Sequence, residues 1–165
     1  MDELEPPDRH HLNATAGWLE LGCLPEARAE LMQISEAHQQ RRDVLELHWR
    51  ICAEEKDWPT ALAVARQLVH VDPGSPTGWI HQSYSLHELK RTDQARSELL
   101  RVAEQFSRVS TVAYNLACYA CQLGQPDEAR RWLNRAIQLE GKDRIKAMAQ
   151  ADPDLAPMRD EIHEL

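Results

Sequence analysis

The sequence predicts an all-α fold: four helix hairpins in tandem, closed by a C-terminal capping segment. The first observation behind this is a fixed step. Four segments, GCLPEARAEL, KDWPTALAVA, KRTDQARSEL and GQPDEARRWL, open at Gly22, Lys56, Lys90 and Gly124, each 34 residues after the last. Ala27, Ala61, Ala95 and Ala129 keep the same step, as do Leu31, Ala65, Leu99 and Leu133. Self-similarity at a constant period marks a repeat architecture. The second observation is helical spacing of the apolar residues within each period, with no alternating Val/Ile/Thr run to suggest a strand. The third is punctuation: Pro25 and Pro59 open second helices, where a missing N–H costs nothing, and Gly22 and Gly124 close first helices.

The elements follow in order. Residues 1–7 form an N-terminal flank and 8–141 the four hairpins. The first unit pairs a helix over 8–22 with one over 25–38, and the second pairs 42–55 with 58–71. Asp72-Pro73-Gly74-Ser75-Pro76 is the sharpest interhelical break, because prolines and glycine cannot continue a helix there. The third unit pairs 76–90 with 92–106, and the fourth pairs 110–123 with 126–139. In that last unit Leu116, Ala117, Ala120 and Leu123 share one face, and Ala129, Leu133, Ala136 and Ile137 share another. Beyond Gly141 the period lapses, yet Ile145, Met148 and Ala149 line up again, followed by Leu155, Met158, Ile162 and Leu165. A row of hairpins leaves an apolar face open at its end, so 142–165 is expected to cover it.

Composition excludes several functions. The chain has 165 residues and a formal charge of −8, with no basic run longer than Arg41-Arg42 or Arg130-Arg131. Nucleic-acid binding needs clustered cations and is not expected. No stretch reaches 18 apolar residues, so no membrane insertion is expected. The acidic N-terminus lacks the features of a signal peptide, and four cysteines without an export signal predict reduced thiols in the cytoplasm. Aromatic content is carried by Trp18, Trp49, Trp58, Trp79 and Trp132, each expected in the core. No Ser/His/Asp set, paired-carboxylate motif or phosphate loop appears, so neither catalysis nor a cofactor is expected.

The final unit, through Tyr114-Asn115-Leu116, Ala117, Gly124, Asp127-Glu128-Ala129 and Ala136-Ile137, resembles the tetratricopeptide repeat. Residues 76 to 107 are similar to it through Trp79, Ala95 and Leu99 and depart at Lys90, where glycine is usual. Trp49 stands where the family prefers a small residue, which implies a wider helix crossing in the second unit. The resemblance covers about residues 8 to 141. It implies a right-handed superhelix whose first helices line a concave groove, and a non-catalytic module that binds a peptide or helix of another protein. In the family's register that groove would present Asn13, Arg50, His81, Tyr84, His87, Tyr114, Asn115 and Cys118. A carboxylate clamp of Lys, Arg and Asn, found in one subgroup, is not expected, since Leu12, Ala16, Leu47, Thr77 and His81 hold the matching places. Related chains often serve as chaperones of secreted or membrane partners, which is the alternative within binding. Four hairpins also leave room for self-association.

Two clusters invite chemistry. Cys118 and Cys121 form a C-x-x-C that would make a thiol- or metal-dependent sensor together with His87. Zinc knuckles place this motif on a turn and redox pairs place it at a helix N-terminus, whereas here it lies mid-helix. His81 and His87 are about 9 Å apart along a helix at 1.5 Å per residue, too far for one zinc. Cysteine as a small buried hydrophobe fits better. His81, Tyr84 and His87, at three-residue steps, read either as a solvated face or as a polar-aromatic recognition strip. In the second case binding would respond to pH near the ordinary histidine value of about 6.5.

Overall fold

The computed structural model describes residues 4–164, and the described residues contain helices and turns but no strand. The chain divides into two compact units, Met1–Ser85 and Leu86–Leu165, with the boundary inside one helix.

The first unit holds α1 (Asp8–Glu20), α2 (Leu24–Leu31), α3 (Arg42–Glu54), α4 (Trp58–Val71) and most of α5 (Pro76–Glu88). Helix α1 packs on α2, α3 on α4, and α2 on α3. Leu19, Ala27, Leu31, Ile34, Val44 and Ile51 form one core cluster, joined by Leu4 from the N-terminal flank. The start of α1 is tied down by the buried Asp8 carboxylate. It accepts from the Ser35 amide at 3.0 Å, from the Ser35 hydroxyl and from His38 Nδ1 at 2.6 Å. Those bonds, the His38 one foremost, lower its pKa to about 2. Gly78 is buried where α5 meets α4. A Cβ there would lie 2.8 Å from the Val69 backbone nitrogen and 3.0 Å from the Leu68 carbonyl carbon, so only glycine allows the approach.

The second unit holds the end of α5 with α6 (Thr92–Leu100), α7 (Ser110–Gln122), α8 (Pro126–Glu140), α9 (Lys142–Ala151), a 3-10 segment Pro153–Met158 and α10 (Arg159–Glu164). Nine residues of α7 are buried, because α6, α8 and the 3-10 segment all pack against it. The capping segment buries Ile145, Ala149, Leu155, Met158 and Ile162. Met148, expected beside Ile145 and Ala149, is 44% exposed. Leu165, expected on the last apolar face, lies outside the described residues.

Four helix ends, those of α1, α3, α5 and α7, are followed by the same backbone geometry. Gly22, Lys56, Lys90 and Gly124 sit at φ of 71°, 58°, 62° and 70°. The residue after each donates its amide five positions back: Cys23 to Trp18, Asp57 to Cys52, Arg91 to Leu86 and Gln125 to Ala120, at 2.8–2.9 Å. This left-handed helix end satisfies carbonyls that the helix leaves unpaired, and it favours glycine. Two of these ends nevertheless carry lysine, a residue that loses about 1–2 kcal/mol in the left-handed region. Lys56→Gly and Lys90→Gly are each expected to raise stability by about 0.5–1 kcal/mol, because glycine gives back part of that gain in unfolded-chain entropy. Urea unfolding of the single and double variants checks this.

The second helices alternate in length. Helices α4 and α8 reach Val71 and Glu140, whereas α2 and α6 end at Leu31 and Leu100. The helices expected over 25–38 and 92–106 are therefore shorter than their apolar spacing suggested. After α6 the chain continues in overlapping tight turns, with Val102 donating to Leu99, Ala103 to Leu100 and Ser107 to Glu104. These still bury Val102, Ala103 and Phe106.

Candidate functional site

Two groups of side chains take in five of the residues that sequence register picked out, His81 and Tyr84 in one and His87, Tyr114 and Cys118 in the other. The first lies on α3, α4 and the first-unit part of α5. His81 stacks on Trp49 with ring centroids 3.6 Å apart and an interplanar angle of 4°. Tyr84 stands edge-on to both Trp49 and Trp58, at 6.3 and 5.6 Å. Trp49 Nε1 donates to Ser85 Oγ at 3.0 Å, and that hydroxyl donates to the His81 carbonyl at 2.8 Å, which fixes the indole over its neighbour. Burial lowers the His81 pKa to about 4, so the imidazole is neutral near pH 7. Tyr84 is 38% exposed, and Trp49, Trp58 and His81 each keep part of their surface in solvent. Arg50 is exposed beside Trp49 on α3, and Asn13 is exposed on α1.

Trp49, which replaces the small residue of the usual pattern, thus finds its place as a partner for His81. The expectation that all five tryptophans are core does not hold: each is only part-buried. An indole N–H needs an acceptor when covered, and Trp49, Trp79 and Trp132 find theirs in Ser85, the Pro73 carbonyl and Glu128.

The second group lies in the second unit and is occupied by the chain itself. Tyr114 donates its hydroxyl to Asp152 Oδ2 at 2.8 Å, and the Cys118 thiol reaches the same oxygen at 3.6 Å. His87 bonds Asp154 Oδ2 through Nε2 and Thr92 through Nδ1, both at 2.9 Å. Gln122 donates to the Asp154 carbonyl at 2.7 Å. His87, Tyr114 and Cys118 are buried, and Asn115 is part-buried. Sequence reasoning missed Asp152 and Asp154 as partners of this face. The available signal was the acidic Asp152-Pro153-Asp154, which reads locally as a helix break.

Burial raises the thiol pKa of both Cys118 and Cys121, far above the usual range for Cys118, with the Asp152 and Asp154 charges adding to the effect. A reactive cysteine needs the opposite environment. Among the described residues no three His, Cys, Asp or Glu side chains gather as a metal-holding group. None of the helices there is long and apolar enough to cross a membrane.

The hairpin that supplies most of the second group, α7 with α8, is the part that a family model recognises. The tetratricopeptide repeat model matches residues 110–143. That hairpin is similar to a tetratricopeptide repeat. Solved tetratricopeptide structures extend the likeness over nearly the whole chain. MamA from Desulfovibrio magneticus RS-1 superposes with a TM-score of 0.74 at 15% identity, covering 98% of this chain and 94% of that one. TTC0263, a thermophilic TPR protein of Thermus thermophilus, gives 0.71 at 17% identity and 95% of both chains. A further MamA structure gives 0.72 at 14% identity, with 94% of this chain and 85% of its own. At such identities the likeness is one of fold. No curated protein matches the sequence.

Proposed function

We propose that the chain binds a peptide segment or helix of a partner protein, without catalysis of its own. The docking residues are Tyr84, His81, Arg50 and Asn13, with Trp49 and Trp58 as the rigid floor. The observation that carries this reading is the part-exposed aromatic cluster around Tyr84. Rings already held by stacking and by the Trp49–Ser85 bond lose little freedom when a guest arrives, and preorganised Trp and Tyr dominate interface energetics. A neutral His81 offers one donor and one acceptor, which suits the uncharged backbone of a guest. In the second unit, His87, Tyr114 and Cys118 spend their polar atoms on Asp152 and Asp154, so the same reading gives them the task of seating the capping segment.

The test is affinity capture from the native host with wild-type protein and with Tyr84→Ala and Arg50→Ala as baits. Tyr84→Ala is expected to lose its specific partner by at least about tenfold, the effect of a hot-spot anchor. Equal recovery by a Tyr84→Ala protein with an unchanged melting curve would move the site elsewhere.

A further inference from the structure

We propose that Gly141 is the hinge of a segment exchange, in which residues 142–164 of two copies of this chain trade places. Helices α8 and α9 are separated by this single residue, at φ 100° and ψ 147°. Its neighbourhood is already nearly helical. The Gly141 amide donates to the Ile137 carbonyl at 2.9 Å, and the Gly141 carbonyl accepts from Ile145 at 3.3 Å. Arg144 pairs with Glu140 across the bend, at the four-residue spacing of a continuous helix. No side chain caps the start of α9. If Gly141 takes helical angles, the amides of Lys142, Asp143 and Arg144 meet the carbonyls of Gln138, Leu139 and Glu140. One helix would then run from Pro126 to Ala151, carrying the capping segment away from its own body.

Such a segment cannot remain in water, because Ile145, Leu155, Met158 and Ile162 are among the buried core side chains. The partner that fits is a second copy. It offers the same apolar face, the same Tyr114, Cys118 and Gln122 for Asp152 and Asp154, and the same Arg130 for Glu161. Reciprocal exchange keeps every one of these contacts and changes only the hinge, the condition under which swapping is a low-cost route to a dimer. The inference is independent of the Tyr84 site.

Gly141→Ala tests it. Alanine is disfavoured at φ 100° and is the best helix former, so it shifts the balance toward the straight form. Light scattering on a sizing column should show twice the monomer mass. The exchange itself is read from Arg130 and Glu161, whose guanidinium and carboxylate lie 2.7 Å apart. In the Gly141→Ala background, Arg130→Glu and Glu161→Arg chains each place like charges together, and only exchange between the two restores both pairs. Native mass spectrometry of the mixture should show mixed dimers several-fold above either homodimer. Because alanine can also unfold the cap, the same two charge variants are co-refolded at high concentration with Gly141 retained. Enrichment of mixed dimers in either background supports exchange. Statistical mixing, or monomers alone in both, overturns it.

Discussion

Replacing Gly78 with alanine should lower the unfolding free energy by about 2–3 kcal/mol, the upper part of the range for overpacking a closed interior. The added Cβ would meet the Val69 nitrogen at 2.8 Å and the Leu68 carbonyl carbon at 3.0 Å. Both atoms are backbone of α4, so no rotamer change relieves the contact. The helices must move apart, which also loosens Val64 and Leu68 against Leu45 and Trp49. A loss of that size corresponds to a melting temperature lower by about 4–12 °C for a chain of this length. Gly17 is the control: a Cβ there meets nothing within 4 Å. Gly17→Ala should instead gain up to about 1 kcal/mol from helix propensity. Equal melting temperatures for Gly78→Ala and wild type would show that α5 does not approach α4 this closely.

The second large effect is a dependence on pH set by His81. Burial lowers its folded pKa to about 4, from an ordinary value of 6.5. Between those values the unfolded chain holds a proton that the folded chain refuses, so stability rises with pH through this window. The contribution is fully present above pH 6.5 and is lost as pH falls from 6.5 toward 4. Its size is about 2–3 kcal/mol at roughly 1.36 kcal/mol per unit, reduced because the ring keeps some contact with water. His81→Phe keeps an aromatic ring on Trp49 and cannot titrate. Denaturant unfolding of both proteins at about pH 7.5, 6.0, 5.0 and 4.5 should show wild type losing stability relative to the variant as acid is added. His48, whose pKa burial also lowers, is present in both proteins and cancels. A difference that stays constant over the whole range would place His81 in water.

What could be read from the sequence was what is local and repeated. The left-handed helix ends were legible at Gly22 and Gly124 through residue type, and at Lys56 and Lys90 only through the constant step, since lysine carries no preference for a left-handed backbone. The burial of Leu155, Met158 and Ile162 was legible because they repeat at helical spacing, though the first two lie in a 3-10 segment. The end of α6 was not. Leu99, Val102, Ala103 and Phe106 keep one face whether the backbone bonds four residues back or three, so apolar period alone cannot separate a helix from nested turns. The candidate site divides the same way. His81 and Tyr84 are three apart on one helix and do meet the same cluster. His87 does not join them: each three-residue step drifts about 60° on a 3.6-residue turn, so two steps carry it about 120° away. It meets Asp154, 67 positions further on, a pairing invisible to any local pattern.

Cys23 keeps part of its surface in solvent, whereas Cys52 is sealed in the first unit and Cys118 and Cys121 in the second. Burial raises the pKa of the three sealed thiols, so an oxidant or alkylating agent meets Cys23 first. The others become reachable only when their own unit breathes. Nature has thereby placed a separate clock in each half of the molecule, and the pace of sulfur chemistry at Cys52 against that at Cys118 and Cys121 tells which half opens more often.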